Sequence, residues 1–253
     1  MPEITINGIK TNYQVFGEGK PFLILHGWGS NCERWADVAE IISKKGYKVV
    51  VPDLPGFGKT DDLEAPWNTN KYINWIEQFV KEIGLSDFYL LGHSFGGALA
   101  SKIAVKRAQD VKKLFLVSAA CVRRKTAQKS FLKKVAKIVK VLHFLPYYGF
   151  FRKVVYKFII RKSDYVYVEG IMKQTYLNII SEDLSFHLPF IKVPTVIIWG
   201  DKDDSTPIED AQLIAQRVKN SKLVVIAGAG HDLNRKQDPE GTPILAEKVL
   251  ENI

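Results

Sequence analysis

The sequence predicts an α/β fold in which a mostly parallel, doubly wound sheet follows a leading antiparallel hairpin and carries an inserted helical cap. Two observations predict this fold. Short apolar runs alternate with helical stretches, as buried parallel strands and their crossover helices do, and the alternation stops between Ala120 and Pro189. With 253 residues, 46% of them hydrophobic, the chain is long enough to bury such a core.

The elements follow in chain order. Asn7-Gly8 between two apolar runs predicts the hairpin, because Asn-Gly favours tight hairpin turns. Parallel strands are then predicted at residues 22–25, 48–51, 88–91, 113–117, 195–199 and 222–226. Helices are predicted at about 33–45, 70–83, 95–108, 208–218 and 242–252. The predicted core therefore comprises residues 1–120 and 191–253.

Residues 121–190 form the predicted cap, a helical, aromatic and basic insertion between two strands of the sheet. Its first helix is predicted from apolar residues spaced by three or four, which share one face: Phe131, Val135, Ile138, Leu142 and Leu145. Pro146 ends this helix, and a second helix is predicted at 150–162.

The positive charge of the chain is concentrated in this predicted cap. The whole chain has a net charge of +9 and a pI near 9.3. Residues 121–190 contain fourteen Lys or Arg and four Asp or Glu, a net +10, which leaves −1 for the remainder. Three interpretations stay open: a solvated face, attraction to an acidic partner or anionic substrate, and adsorption to an anionic membrane. No nucleic-acid-binding motif accompanies the charge, so a nucleic-acid partner is not expected.

Other sequence features limit the possible cellular location and the possible metal or disulfide chemistry. No run of about 20 apolar residues predicts a transmembrane segment, and the N-terminus does not resemble a signal peptide, so a cytoplasmic location is expected. Cys32 and Cys121 form neither a disulfide framework nor a metal-binding spacing. We expect no metal and no cofactor.

A candidate nucleophile lies in Gly92-His93-Ser94-Phe95-Gly96, directly after the predicted strand at 88–91. Gly-x-Ser-x-Gly after a buried strand is typical of a nucleophile elbow, a strained strand-to-helix turn that exposes the serine hydroxyl. The structural alternative for Ser94 is a helix N-cap. His93 and His26 are expected to support the site rather than transfer protons.

Candidates for the base and acid follow two later strands. His231 comes after the strand at 222–226, while Asp201, Asp203 and Asp204 come after the strand at 195–199. The carboxyl ends of parallel strands meet at one edge of the sheet, where α/β folds place their sites. A neutral histidine activates a serine, and a carboxylate holds that histidine in the required tautomer. The oxyanion hole is expected from the backbone N–H groups of Phe95 and of Trp28, in the glycine-containing loop after the strand at 22–25.

Over nearly its whole length the chain resembles the α/β-hydrolase superfamily. The motifs that carry the resemblance are His26-Gly27-Trp28-Gly29, Asp53-Leu54-Pro55-Gly56-Phe57-Gly58, Gly92-His93-Ser94-Phe95-Gly96-Gly97, the stretch from Gly200 to Pro207, and Gly230-His231. The order Ser, Asp, His is that of this fold. The resemblance implies that Asp203 is the acid, since it stands third after Gly200 and four before Pro207. It also implies that residues 121–190 cover the serine.

The sequence therefore predicts a serine hydrolase of carboxylic esters that works through an acyl-enzyme, with catalytic residues Ser94, Asp203 and His231. Superfamily members with the same triad also cleave lactones and carbon–carbon bonds β to a carbonyl. A weaker resemblance is to esterases that demethylate a pimeloyl chain on acyl carrier protein, an acidic partner that would suit a basic cap. A non-catalytic ligand-binding relative and a basic membrane-associating protein are the remaining alternatives.

Overall fold

The computed structural model describes residues 3–123, 169–234 and 241–253. Its strands are β1 (Glu3–Ile6), β2 (Ile9–Phe16), β3 (Lys20–Leu25), β4 (Tyr47–Pro52), β5 (Phe88–His93), β6 (Val111–Val117), β7 (Thr195–Gly200) and β8 (Ser221–Ile226). Its helices are α1 (Ala36–Ser43), α2 (Thr69–Glu82), α3 (Phe95–Lys106), α4 (Gly170–Ser181), α5 (Ile208–Arg217) and α6 (Gly241–Leu250), with short 3₁₀ helices at Cys32–Trp35 and Leu188–Phe190.

The strands of the described residues form one sheet in the order β1-β2-β4-β3-β5-β6-β7-β8. β1 pairs with β2, and β2 with β4, in antiparallel fashion, while every later pairing is parallel. The hairpin turns at Asn7 and Gly8, whose φ angles of 49° and 85° are the positive values that such a turn requires. The predicted mostly parallel sheet with a leading hairpin is confirmed.

Apolar side chains cover both faces of the sheet. In β3, Leu23 and Leu25 pack into a cluster with residues of α2 and α3, whereas Phe22 and Ile24 join a cluster with residues of α1 on the opposite face. This alternation follows from the two-residue period of a strand. The sheet is therefore doubly wound, and the carboxyl ends of its parallel strands are brought to one edge.

The two ends of the segment 121–190 meet beside the core. The N–H of Leu184 donates to the carbonyl of Cys121 at 3.0 Å, and the N–H of Arg123 donates to Asp183 Oδ1 at 3.3 Å. The described part of the segment contains α4. The helices predicted at 131–145 and 150–162, and most of the lysines and arginines of the predicted cap, lie outside the described residues.

Candidate active site

Ser94 occupies a strained turn between β5 and α3. Its φ of 51° and ψ of −113° are unusual for a residue with a side chain. The surrounding backbone holds this conformation, because the N–H of Ser94 donates to the carbonyl of Val117 at 3.0 Å and its carbonyl accepts from Ala98 and Ala120 at 3.1 and 2.9 Å. The hydroxyl makes no cap hydrogen bond to α3. The geometry is thus that of the predicted elbow rather than that of an N-cap.

Glycines on either side of Ser94 allow the elbow to pack against its neighbours. A Cβ on Gly96 would lie 2.1 Å from the carbonyl oxygen of Leu25, and a Cβ on Gly92 would lie 2.4 Å from that of Gly96. Both distances are far inside van der Waals contact with backbone atoms, which cannot move aside as a flexible side chain can. α3 can therefore start directly against β3.

His231 joins the serine to a buried carboxylate. Its Nε2 lies 3.0 Å from Ser94 Oγ, and its Nδ1 lies 2.8 Å from Asp203 Oδ2. The Asp203 side chain is 0% exposed and that of His231 is 18% exposed. A carboxylate on Nδ1 selects the tautomer in which Nε2 is free to accept the serine proton. Three strand ends thus bring the three predicted residues into one hydrogen-bonded chain.

Asp203 is distinguished from its two acidic neighbours by burial and by donors. Its Oδ1 accepts from the N–H groups of Ser205 and Thr206 at 2.9 and 2.8 Å, whereas Asp201 and Asp204 are exposed and Asp201 accepts from the N–H of Gly228. Burial alone would raise the pKa of Asp203, but the hydrogen bond and charge of His231, together with the hydrogen bonds from Thr206, bring it below its ordinary value. Of the three candidates, Asp203 is therefore the carboxylate beside His231.

Thr206 is a residue of the site that the sequence analysis did not single out. Its hydroxyl lies 2.8 Å from Asp203 Oδ2 and 3.3 Å from His231 Nδ1. Its position between Asp203 and Pro207, in the loop that supplies the acid, was the only signal available from the sequence.

His93 and His26 are buried, and burial favours the uncharged form of both imidazoles. Nε2 of His93 donates to the carbonyl of His231 at 2.9 Å, and burial together with the neighbouring His231 lowers the pKa of His93 to about 3. In His26, Nδ1 donates to the carbonyl of Gly27 while Nε2 accepts from the N–H of Leu54, and burial lowers its pKa. Both rings therefore hydrogen-bond to backbone around the site.

The loop after β3 passes beside the serine. A Cβ on Gly27 would lie 3.3 Å from Ser94 Cβ, so the loop backbone lies against the elbow. The indole of Trp28 packs edge-on against Phe57, Phe95 and Tyr176, with ring centroids 4.8, 5.7 and 5.1 Å away. Tyr176 belongs to α4, so the segment 121–190 contributes to this aromatic wall. The N–H of Phe95 is the first of α3, and the first N–H groups of a helix have no partner within it.

Asp53 ties this loop to the loop after β4. The side chain is buried, and it accepts from the N–H groups of Cys32 and Lys59 at 2.6 and 2.8 Å and from Asn12 Nδ2 at 2.7 Å. Cys32 is a buried free thiol, and burial and the nearby Asp53 raise its pKa to about 12. A thiol held in this protonated form is a poor nucleophile.

The described residues contain neither a candidate metal centre nor a membrane-spanning helix. Within residues 3–123, 169–234 and 241–253, no group of three His, Cys, Asp or Glu side chains is placed to hold a metal ion. In the same residues, no helix is both long enough and apolar enough to cross a membrane.

Comparisons with known proteins identify relatives of the chain. The family model described as serine aminopeptidase, S33, matches residues 20–238. Lipase 1 of Psychrobacter immobilis is 26% identical over 230 residues, which cover 84% of this chain and 71% of the lipase.

Solved structures show the same fold. The esterase EaEST from Exiguobacterium antarcticum is 23% identical, with a TM-score of 0.75 and 98% of each chain covered. The enol-lactonase from Burkholderia xenovorans LB400 is 19% identical, with a TM-score of 0.72, and the match covers 98% of this chain and 100% of the lactonase. The predicted α/β-hydrolase fold is confirmed.

Proposed function

We propose that this chain is a serine hydrolase of carboxylic esters. The chain belongs to the serine aminopeptidase S33 family, within the α/β-hydrolase superfamily. The observation that carries the proposal is the hydrogen-bonded chain from Ser94 through His231 to Asp203. A lipase and an esterase among the similar proteins support an ester as the substrate.

In the proposed mechanism, Ser94 Oγ attacks the ester carbonyl while His231 Nε2 takes the serine proton. The same nitrogen then protonates the departing alcohol, which leaves the acyl group on Ser94. A water molecule, deprotonated by His231, attacks the acyl-enzyme and releases the acid. Asp203 keeps the imidazole oriented and stabilises its charged form in both halves of the reaction.

The developing oxyanion requires two donors. We assign these to the N–H groups of Phe95 and Trp28. The position of Phe95 at the start of α3 supports the first assignment, and the close approach of Gly27 to Ser94 supports the second. A pair of such donors, fixed before the reaction, typically supplies several kcal/mol of transition-state stabilisation.

The test compares wild type with Ser94→Ala. A chain-length series of p-nitrophenyl esters, together with lactones and an aminoacyl p-nitroanilide, gives the substrate class, and a fluorophosphonate probe reports a reactive serine without any substrate. Ser94→Ala should lose labelling and lower kcat at least about 10³-fold, because the nucleophile is gone. Ser101→Ala is the matched control, since Ser101 is a buried serine of α3 whose hydroxyl donates to the carbonyl of Ala98.

Each outcome has a distinct meaning. Ester hydrolysis that persists in purified Ser94→Ala would refute the mechanism. Labelling of Ser94 with turnover of lactones or the anilide, but of no ester, would keep the nucleophile and refute the ester assignment. Absence of labelling in wild type would favour a ligand-binding role.

A further inference from the structure

We propose that the Thr206 hydroxyl is a positioning group for the Asp203–His231 pair, holding the carboxylate in the plane that aims His231 at Ser94. This inference rests on the proposed function of the site and adds a residue to it. Thr206 does not touch the reacting atoms, so its effect is exerted through Asp203 and His231.

The hydroxyl contacts both partners of the pair. Thr206 is 8% exposed. Its Oγ1 lies 2.8 Å from Asp203 Oδ2, the same oxygen that lies 2.8 Å from His231 Nδ1. It also lies 3.3 Å from His231 Nδ1 and 3.3 Å from the carbonyl of Ser118. A threonine hydroxyl has one proton and two lone pairs, and the shortest contact, to a carboxylate oxygen, receives the proton.

Thr206 thereby completes the set of donors around the carboxylate. The two N–H groups of Ser205 and Thr206 hold Oδ1, but the terminal torsion of an aspartate is soft. Only the Thr206 hydroxyl and His231 Nδ1 donate to Oδ2 among the contacts of the described residues. Without the hydroxyl, His231 would be the only one of these two donors left on Oδ2. The carboxylate would then be held by the same imidazole that it orients.

The main chain of Thr206 is anchored independently of its hydroxyl. The indole Nε1 of Trp199, in β7, donates to the carbonyl of Thr206 at 2.7 Å. The N–H of Thr206 remains bonded to Asp203 Oδ1. A change confined to the side chain therefore removes one donor and leaves the loop anchored.

Loss of the hydroxyl should act on the chemical step. The contacts given for the Thr206 hydroxyl are with Asp203, His231 and the carbonyl of Ser118. Its removal should therefore lower kcat and leave KM for the ester nearly unchanged. A residue needed only for packing would be replaced without loss by valine, which has the same shape.

The test measures the rate of Ser94 labelling by a fluorophosphonate, and kcat and KM for an ester, at neutral pH. In Thr206→Val, which keeps the shape of the side chain, the labelling rate and kcat should fall about tenfold or more, with KM nearly unchanged. Thr206→Ser should restore both. Thr206→Ala and Thr206→Ser form a second pair that differs only in the hydroxyl and shares the loss of the methyl group.

Two controls separate the possible failures. Thr195→Val removes the hydroxyl of another buried threonine, in β7, which donates to the carbonyl of Val193, and should leave the labelling rate, kcat and KM unchanged. A wild-type labelling rate and kcat in Thr206→Val, or equal rates in the Ala and Ser variants, would overturn this proposal alone if Ser94→Ala is inactive. Full activity in Ser94→Ala would overturn the proposed function and this inference with it.

Discussion

His93 should make the folded protein sensitive to mild acid. Burial and the neighbouring His231 lower its pKa to about 3, whereas a histidine in an unfolded chain takes up its proton near pH 6.5. Between these values the unfolded state holds one more proton than the folded state, so acid favours unfolding. The contribution of His93 is complete above about pH 6.5 and declines as the pH falls toward 3. For one such group, linkage gives a loss of about 2 kcal/mol between pH 7 and pH 5.

Urea unfolding of wild type, His93→Phe and Trp35→Phe at pH 7, 6 and 5 measures this loss as a difference in the free energy of unfolding. His93→Phe should lose about 2 kcal/mol less than wild type between pH 7 and pH 5. Trp35 packs on His93, with ring centroids 5.6 Å apart, and does not titrate, so Trp35→Phe should keep the wild-type pH dependence. His26, whose pKa burial also lowers, acts in the same direction in all three proteins. An unchanged pH dependence in His93→Phe would refute the reasoning.

Two further predictions concern stability. Asp53→Asn should lower the free energy of unfolding by about 2 kcal/mol or more. Both carboxylate oxygens accept hydrogen bonds, so the amide nitrogen of the new asparagine would face a donor in either orientation. A change under about 0.5 kcal/mol in urea unfolding would contradict the role of Asp53 in joining the two loops. Gly96→Ala should destabilise by about 1–3 kcal/mol or more, since its Cβ would lie 2.1 Å from a backbone oxygen. Gly230→Ala, whose Cβ would meet no atom within 4 Å, is the matched control, and equal melting temperatures for the two glycine variants would rule out the packing argument.

The order of the elements could be predicted from local sequence, but the strand ends could not. Residues 88–91 were predicted because they are an apolar run, whereas β5 continues through Gly92 and His93. Gly92 has weak strand propensity, and both residues are held by pairing with Leu116 and Val117 of β6. Pairing with a strand more than twenty residues away outweighs local preference and leaves no local signal.

The candidate site residues that could be predicted from the sequence are those that belong to recognisable motifs. Ser94, Asp203 and His231 stand at strand ends with recognisable spacing. The roles of Thr206 and Asp53 depend on contacts that form only when the chain is folded. Asp53, for example, binds the N–H of Cys32, 21 residues earlier. A buried carboxylate and an exposed one look alike in sequence, so roles of this kind emerge only when the partners are known.

The hydrogen bond between Leu184 and Cys121 joins residues 63 positions apart. At residue 184 the chain is therefore back beside the place where it left β6, close to Ala120, whose N–H is bonded to the carbonyl of Ser94. Residues of the returning part also bond to the core, since Thr175 Oγ1 accepts from the N–H of Trp67 and Glu182 pairs with Lys102. A segment exchanged between this chain and a relative would therefore have to preserve these core contacts as well as the junction at Cys121 and Leu184.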